Sequence, residues 1–268
     1  MSNMADYWQK QTVDKPLFDD LLWSKPENKS RAGRLLVIGG HLGGFSSPVS
    51  VYNQAVKAGI GEARVILPDS VQKSLGKGLD NISFAPSNPS GSFSRSALGY
   101  LLEESAWADE IIFAGELGEN SETKILFEHY LAETNQGLSL VGDSVDFATG
   151  VHPRLLGRDR TLIVASFRQL QNLIKHTEPM LTPVSNMNLV NLVDSLHNYS
   201  QKNKIAIMLE WEGYLLSCYE GMVNSTLIAN KQKVELERLA AEASIWLAQN
   251  PTKVFAATAC AAVTYQNY

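Results

Sequence analysis

Short apolar runs alternate with amphipathic stretches along most of this 268-residue chain. Leu35 to Ile38 is an unbroken apolar run ending in Gly39-Gly40, the pattern of a parallel strand buried on both faces. A glycine-rich loop then leads to a helix predicted from Pro48 to Ala58, closed by Gly59 and Gly61. Ala63 to Leu67 is the next strand, ending at Pro68. Further helices are predicted from Ser94 to Ser105, Glu119 to Ala132 and Phe167 to Ile174, and Ser185 to Tyr199 is amphipathic. Between them come strands at Glu110 to Phe113, Leu138 to Val141, Thr161 to Ala165 and Lys204 to Leu209. Tyr214 to Cys218 and Gly221 to Val223 read as a hairpin turned at Tyr219-Glu220. Two helices close the chain, Gln232 to Gln249 and Thr252 to Tyr265, split by Asn250-Pro251. Residues 1–30 are polar apart from the anchors Tyr7 and Trp8, which predicts an irregular extension over the surface.

Strands regularly separated by helices imply right-handed βαβ units and a parallel sheet covered on both faces. No composition break or repeat interrupts residues 1–268, so one α/β domain is expected, with the Pro86 to Ser92 segment as a surface loop. In such folds ligands sit beyond the carboxyl ends of the strands, where the glycine loops lie.

Composition narrows the function classes. A hydrophobic content of 44% supports a folded core and excludes a disordered chain. The formal charge of -5 speaks against a protein that grips phosphate backbones, so no nucleic-acid partner is expected. The longest apolar stretch, Val254 to Val263, is far short of the ~20 residues that cross a bilayer, and no leader pattern opens the chain. Cys218 and Cys260 are its two cysteines, too few for a disulfide framework or a multi-cysteine zinc site, which fits a cytoplasmic protein. His129, His152, His176 and His197 are scattered without metal-ligand spacing, so no metal site is expected.

The loop after the first strand has the strand-to-helix context of an anion site, but His41 stands at the second glycine of a dinucleotide fingerprint and no Gly-Lys-Ser/Thr follows. Ligand contact by His41 and a plain exposed turn both remain open. The wider segment, LLVIGGHLGGFSSPVSVYNQAVKAGIGEARVILPDS, resembles the start of the NAD(P)H-hydrate dehydratase family of the ribokinase-like superfamily. The resemblance rests on Val37 to Gly40, the loop to Ser47, Ala58-Gly59-Ile60-Gly61 and Val65 to Pro68. It continues through Ala114-Gly115-Glu116-Leu117-Gly118, Asp143, Leu181-Thr182-Pro183 and Trp246 to Gln249, so it covers Lys25 to the end of the chain.

The resemblance implies a three-layer α/β/α sandwich with a mostly parallel central sheet, and a hydro-lyase that repairs hydrated NAD(P)H with ADP or ATP and Mg²⁺. Members of that family form homo-oligomers, which the resemblance carries over as well. Residue by residue, it assigns Gly39, Gly40, Ser47, Glu116, Gly118 and Val184 to the substrate, and Glu210, Trp211 and Leu236 to the nucleotide. Glu237 stands where the family's Gly-Thr-Gly-Asp motif presents its catalytic carboxylate. Several matched positions depart from the family pattern. Val234 and Leu236 replace glycines, Glu235 adds a negative charge, and Glu210-Trp211 replaces Lys-Gly. Glu116 replaces a glycine, Ser47 an alanine and Val184 a histidine. Glu235 and Glu237 also fit a solvated helix face, and Trp211 fits either a ligand-stacking or a hairpin-packing role. Two functions therefore stand side by side: a divergent dehydratase, or a non-catalytic protein that kept the scaffold for ligand binding or assembly.

Overall fold

The computed structural model describes residues 4–26, 28–75, 81–151, 155–156, 158–229 and 233–267. Its strands are β1 (Trp8–Gln11), β2 (Arg34–Gly39), β3 (Glu62–Pro68), β4 (Ile82–Ala85), β5 (Glu110–Ala114), β6 (Gly137–Val141), β7 (Thr161–Val164), β8 (Ile205–Trp211), β9 (Tyr214–Tyr219) and β10 (Met222–Leu227). They form one sheet in the order β1-β10-β9-β8-β7-β6-β5-β2-β3-β4. Only β9 runs against its neighbours in this sheet.

Alternation along the central strands divides the core in two. Leu35 and Val37 face one layer of helices, while Leu36 and Ile38 face the other. The first layer holds α1 (Ser46–Lys57), α7 (Leu236–Gln249) and α8 (Val254–Thr264). The second holds α2 (Leu98–Ser105), α3 (Ser121–Glu133), α4 (Asp143–Gly150), α5 (Phe167–Thr177) and α6 (Leu189–Lys202). This is the α/β/α sandwich with a mostly parallel sheet.

Local chemistry sets the helix ends. Ser166 and Gln169 form a reciprocal capping box that starts α5. Gly59, at φ +90, follows α1 and turns the chain into β3. α7 is buried along nearly its whole length, and its small side chains admit close neighbours. Ala248 lies against Gly33 at the start of β2, so the head of α7 lies at the carboxyl edge of the sheet.

Three expectations are corrected. The N-terminal extension is not irregular: β1 pairs in parallel with β10. Its Gln11 is buried and donates at 2.8 Å to both Thr226 Oγ1 and the Ala259 carbonyl. The tyrosine before β1, Tyr7, stacks on His197 with centroids 3.7 Å apart. The last hairpin turns at Glu220-Gly221, where both φ values are positive (48 and 81), so β10 runs on to Leu227. A second such turn, Glu212-Gly213, joins β8 to β9. Finally, α7 begins at Leu236 with Glu235 as its N-cap rather than at Gln232, which lies outside the described residues.

Candidate functional site

Loops at the carboxyl edge of the sheet interlock into one surface. The backbones of His41 and Gly44 exchange hydrogen bonds of 2.9 and 3.0 Å, closing a turn over Leu42-Gly43. The Leu42 amide then donates to Gly91 O at 2.9 Å, tying this turn to the loop after β4. Ser70 Oγ donates to the same carbonyl at 2.8 Å, and Asn120 Nδ2 reaches Ser90 Oγ at 3.0 Å. The loop after β5 joins the loop after β6 where the Leu117 amide donates to Asp143 Oδ2 at 3.0 Å. Buried Asn88 organises the loop after β4 by accepting from the amides of Ser90 and Ser92.

Gly39 is required by close approach. A Cβ there would lie 2.0 Å from the Ala114 carbonyl oxygen at the end of β5. That approach brings the β5 loop against the head of α1, where Ser47 lies beside Gly115. Of the residues assigned to the substrate, Gly39, Gly40, Ser47, Glu116 and Gly118 therefore lie close together, at the end of β2, the head of α1 and the loops beside them. Glu116 leans over Gly44, with its Oε2 3.8 Å from His41 Nδ1.

Val184 is not joined to that group. The carbonyl before it, Pro183 O, is held by Gln171 Nε2 at 2.8 Å on α5, and the Val184 side chain is exposed. The residues assigned to the nucleotide are spent locally. Glu210 Oε1 accepts from the Gly213 amide at 3.1 Å, fixing the β8–β9 turn. Trp211 packs on Phe167 with ring centroids 4.2 Å apart, and its buried Nε1 has no partner among the described atoms.

The head of α7 is tied to the end of the chain. The Glu235 amide donates to Tyr265 Oη at 2.9 Å, and the Ala229 amide to Gln266 Oε1 at 2.8 Å. Arg238 lies over the Tyr265 ring at 4.2 Å and donates to its carbonyl. Val234 and Leu236 pack against the core, while Glu237 sits half-buried in the first turn of α7.

Other ionisable groups lie elsewhere. Glu110, at the opposite end of β5, is 1% exposed, and burial pushes its carboxyl up to about 8 against the opposing pull of Ser139 and Arg160. Glu242, inside α7, is raised by burial despite accepting from Thr264 Oγ1 at 2.6 Å. His129 lines a cleft of about 320 Å³ with Arg95 and Leu126. A larger cleft, about 580 Å³, runs between Leu17–Ser24 and Lys253, away from the glycine loops. His152 lies outside the described residues, and among the described residues no group of three potential ligands could hold a metal. No helix among them is long and apolar enough to cross a membrane.

Sequence reasoning missed the parts played by Asn88, Asn120 and Asp143 in joining the loops. The Asn-Pro-Ser-Gly run at 88–91 carries a turn signal, but which loops it would tie together has no local signature.

No family model matches this sequence. It is 23% identical over 152 residues to the bifunctional NAD(P)H-hydrate repair enzyme of Dictyoglomus turgidum, a match that covers 55% of this chain and 30% of that protein. The chain thus spans under a third of the curated relative it matches. Among solved structures, a ribokinase-like superfamily protein from Enterococcus faecalis superposes with a TM-score of 0.73 at 16% identity, over 97% of this chain and 86% of that one. The ADP/ATP-dependent NAD(P)H-hydrate dehydratase of Bacillus subtilis, co-crystallised with ATP and Mg²⁺, gives a TM-score of 0.63 at 10% identity, over 94% and 87%. With its single mostly parallel sheet between two helical layers, the chain has the ribokinase-like fold, and its sequence is similar to an NAD(P)H-hydrate repair enzyme.

Proposed function

We propose that this chain is a divergent protein of the NAD(P)H-hydrate dehydratase type that binds hydrated NAD(P)H on the interlocked loops at the carboxyl edge of its sheet. The observation that carries this reading is the meeting of Gly39, Gly40, Ser47, Glu116 and Gly118 where β2 and β5 end and α1 begins, with Gly39 held there by its approach to Ala114. The first turn of α1, at Ser46 and Ser47, suits the anionic parts of a dinucleotide. Glu237, in the first turn of α7, is the assigned acid/base in this reading.

The residues at the head of α7 do not fit the polyphosphate of ADP or ATP. A polyphosphate needs free backbone donors and cations. Here Val234 and Leu236 stand where close backbone approach would need glycines, the Glu235 amide is taken by Tyr265, Arg238 is held on Tyr265, and Glu235 and Glu237 add negative charge. These same features favour a second reading, in which the scaffold binds a ligand without turning it over.

The test is to incubate purified chain with NADPH hydrate, alone and with ADP or ATP plus Mg²⁺, and to follow recovery of NADPH absorbance. Recovery supports the dehydratase reading. Binding without recovery supports the non-catalytic one. Neither binding nor recovery removes hydrated NAD(P)H as the ligand.

A further inference from the structure

His41 in the first glycine loop and Glu116, which replaces a glycine of the resembled pattern in the second, meet in space. Glu116 Oε2 lies 3.8 Å from His41 Nδ1, and the same nitrogen lies 3.3 Å from the Gly44 carbonyl. The slot that holds them is lined by glycine. A Cβ on Gly44 would lie 2.5 Å from Glu116 Oε2, and one on Gly43 would lie 2.9 Å from His41 Nε2. The imidazole side chain is 22% exposed and the carboxylate 68% exposed, so the pair faces the loop surface and is not sealed in the core.

We propose that His41, positioned by Glu116, takes over the proton-transfer role that the resemblance gives to Glu237, and that it dehydrates the hydrated nicotinamide without a phosphoryl donor. The inference rests on hydrated NAD(P)H being the substrate. With the Gly44 carbonyl and the Glu116 carboxylate both beside Nδ1, that nitrogen keeps its proton and Nε2 exchanges one.

The hydroxyl to be lost sits on the ring carbon next to the ring nitrogen. Protonated His41 gives its Nε2 proton to that hydroxyl, the carbon–oxygen bond breaks, and water leaves. The ring nitrogen's electron pair holds the resulting cation. Neutral Nε2 then takes a proton from the adjacent carbon, and the carbon–carbon double bond forms. His41 ends protonated, as it began, and no oxidant, reductant or phosphate is consumed. Glu116 is a positioning residue: it lies beside the far nitrogen that the Gly44 carbonyl holds, and balances the imidazolium charge.

Two measurements decide this. The first is ¹⁵N NMR of the His41 ring in the full chain, read on the neutral form. The Nδ1–H tautomer is expected, shifting toward Nε2–H in Glu116→Gln. An Nε2–H tautomer in the wild-type chain overturns the pairing whatever the substrate.

The second is turnover of NADPH hydrate without ADP or ATP. His41→Gln is expected to lower kcat by about 100-fold or more with KM within about threefold, as loss of a general acid–base group does. Glu116→Gln should lower kcat by roughly tenfold with KM again preserved. Gly43→Ala, which crowds Nε2 and leaves Nδ1 alone, should also lose turnover while melting like the wild type. Full activity in His41→Gln, or turnover that strictly requires ADP or ATP, overturns the proposal while leaving the substrate standing. A wild-type chain that neither binds nor turns over NADPH hydrate removes the substrate reading itself.

Discussion

The two halves of the carboxyl edge are built in opposite ways. Around β2, β5 and β6, glycines let backbones and neighbouring loops approach closely, and the loops are tied to one another through Gly91, Asn120 and Asp143. Around β8 and the head of α7, side chains of the protein fill the same kind of position. Glu210 closes a turn, Trp211 covers Phe167, and Tyr265 and Gln266 take up backbone amides. One fold edge thus carries a glycine-lined half, the open half, and a half filled largely by its own side chains, the self-satisfied half. A shared architecture preserves the place where a ligand would sit, but each half must be judged by where its donors and acceptors already go.

The largest effect should come from closing the open half. Gly39→Ala places a methyl group 2.0 Å from a backbone oxygen that cannot swing away. Chemical denaturation should show a loss of at least about 3 kcal/mol, the upper range for one substitution. A loss near zero would mean that β2 and β5 do not meet as closely as the open half requires.

A pH series separates both halves from the rest of the sheet. Glu110, with its carboxyl raised to about 8, holds a proton in the fold that the unfolded chain has released. Stability contributed this way is complete below the ordinary glutamate range and is lost as pH rises toward about 8, by at most about 1.4 kcal/mol per pH unit. Glu110→Gln should flatten that slope in unfolding midpoints. An unchanged slope would move the dominant titration into α7, where Glu242 is also raised.

The self-satisfied half should yield smaller changes. Tyr265→Phe removes the acceptor of the Glu235 amide and should cost about 1 kcal/mol in a thermal melt. ADP binding should not appear in that variant, because Val234 and Leu236 still anchor the segment to the core. Its appearance would show that the tyrosine tie alone closes this half. Glu210→Gln keeps an acceptor for the Gly213 amide and should stay within about 0.5 kcal/mol of the wild type.

The open half was largely legible in the sequence. The run Leu35 to Ile38 ending in Gly39-Gly40, and Ala114-Gly115 after the next core strand, carry strong local signals, and their loops meet because their strands are neighbours. The other half was not. Glu210 reads as a charge reversal until its bond to Gly213 is seen, and Tyr265 reaches Glu235 across thirty residues with no periodic signature. β1 escaped for a similar reason. Trp-Gln-Lys-Gln has no apolar alternation, and the strand exists because Gln11 finds buried partners on β10 and α8. α4, from Asp143 to Gly150, was also missed, being two turns long and mixed in polarity.

The most direct test is one thermal-unfolding series with NADPH hydrate, ADP and ATP, each with and without Mg²⁺. An open half beside a closed one predicts stabilisation by NADPH hydrate, about 2.7 kcal/mol at a hundredfold excess over its dissociation constant, and no shift with either adenine nucleotide. Stabilisation by ADP or ATP with none from the hydrate would contradict it.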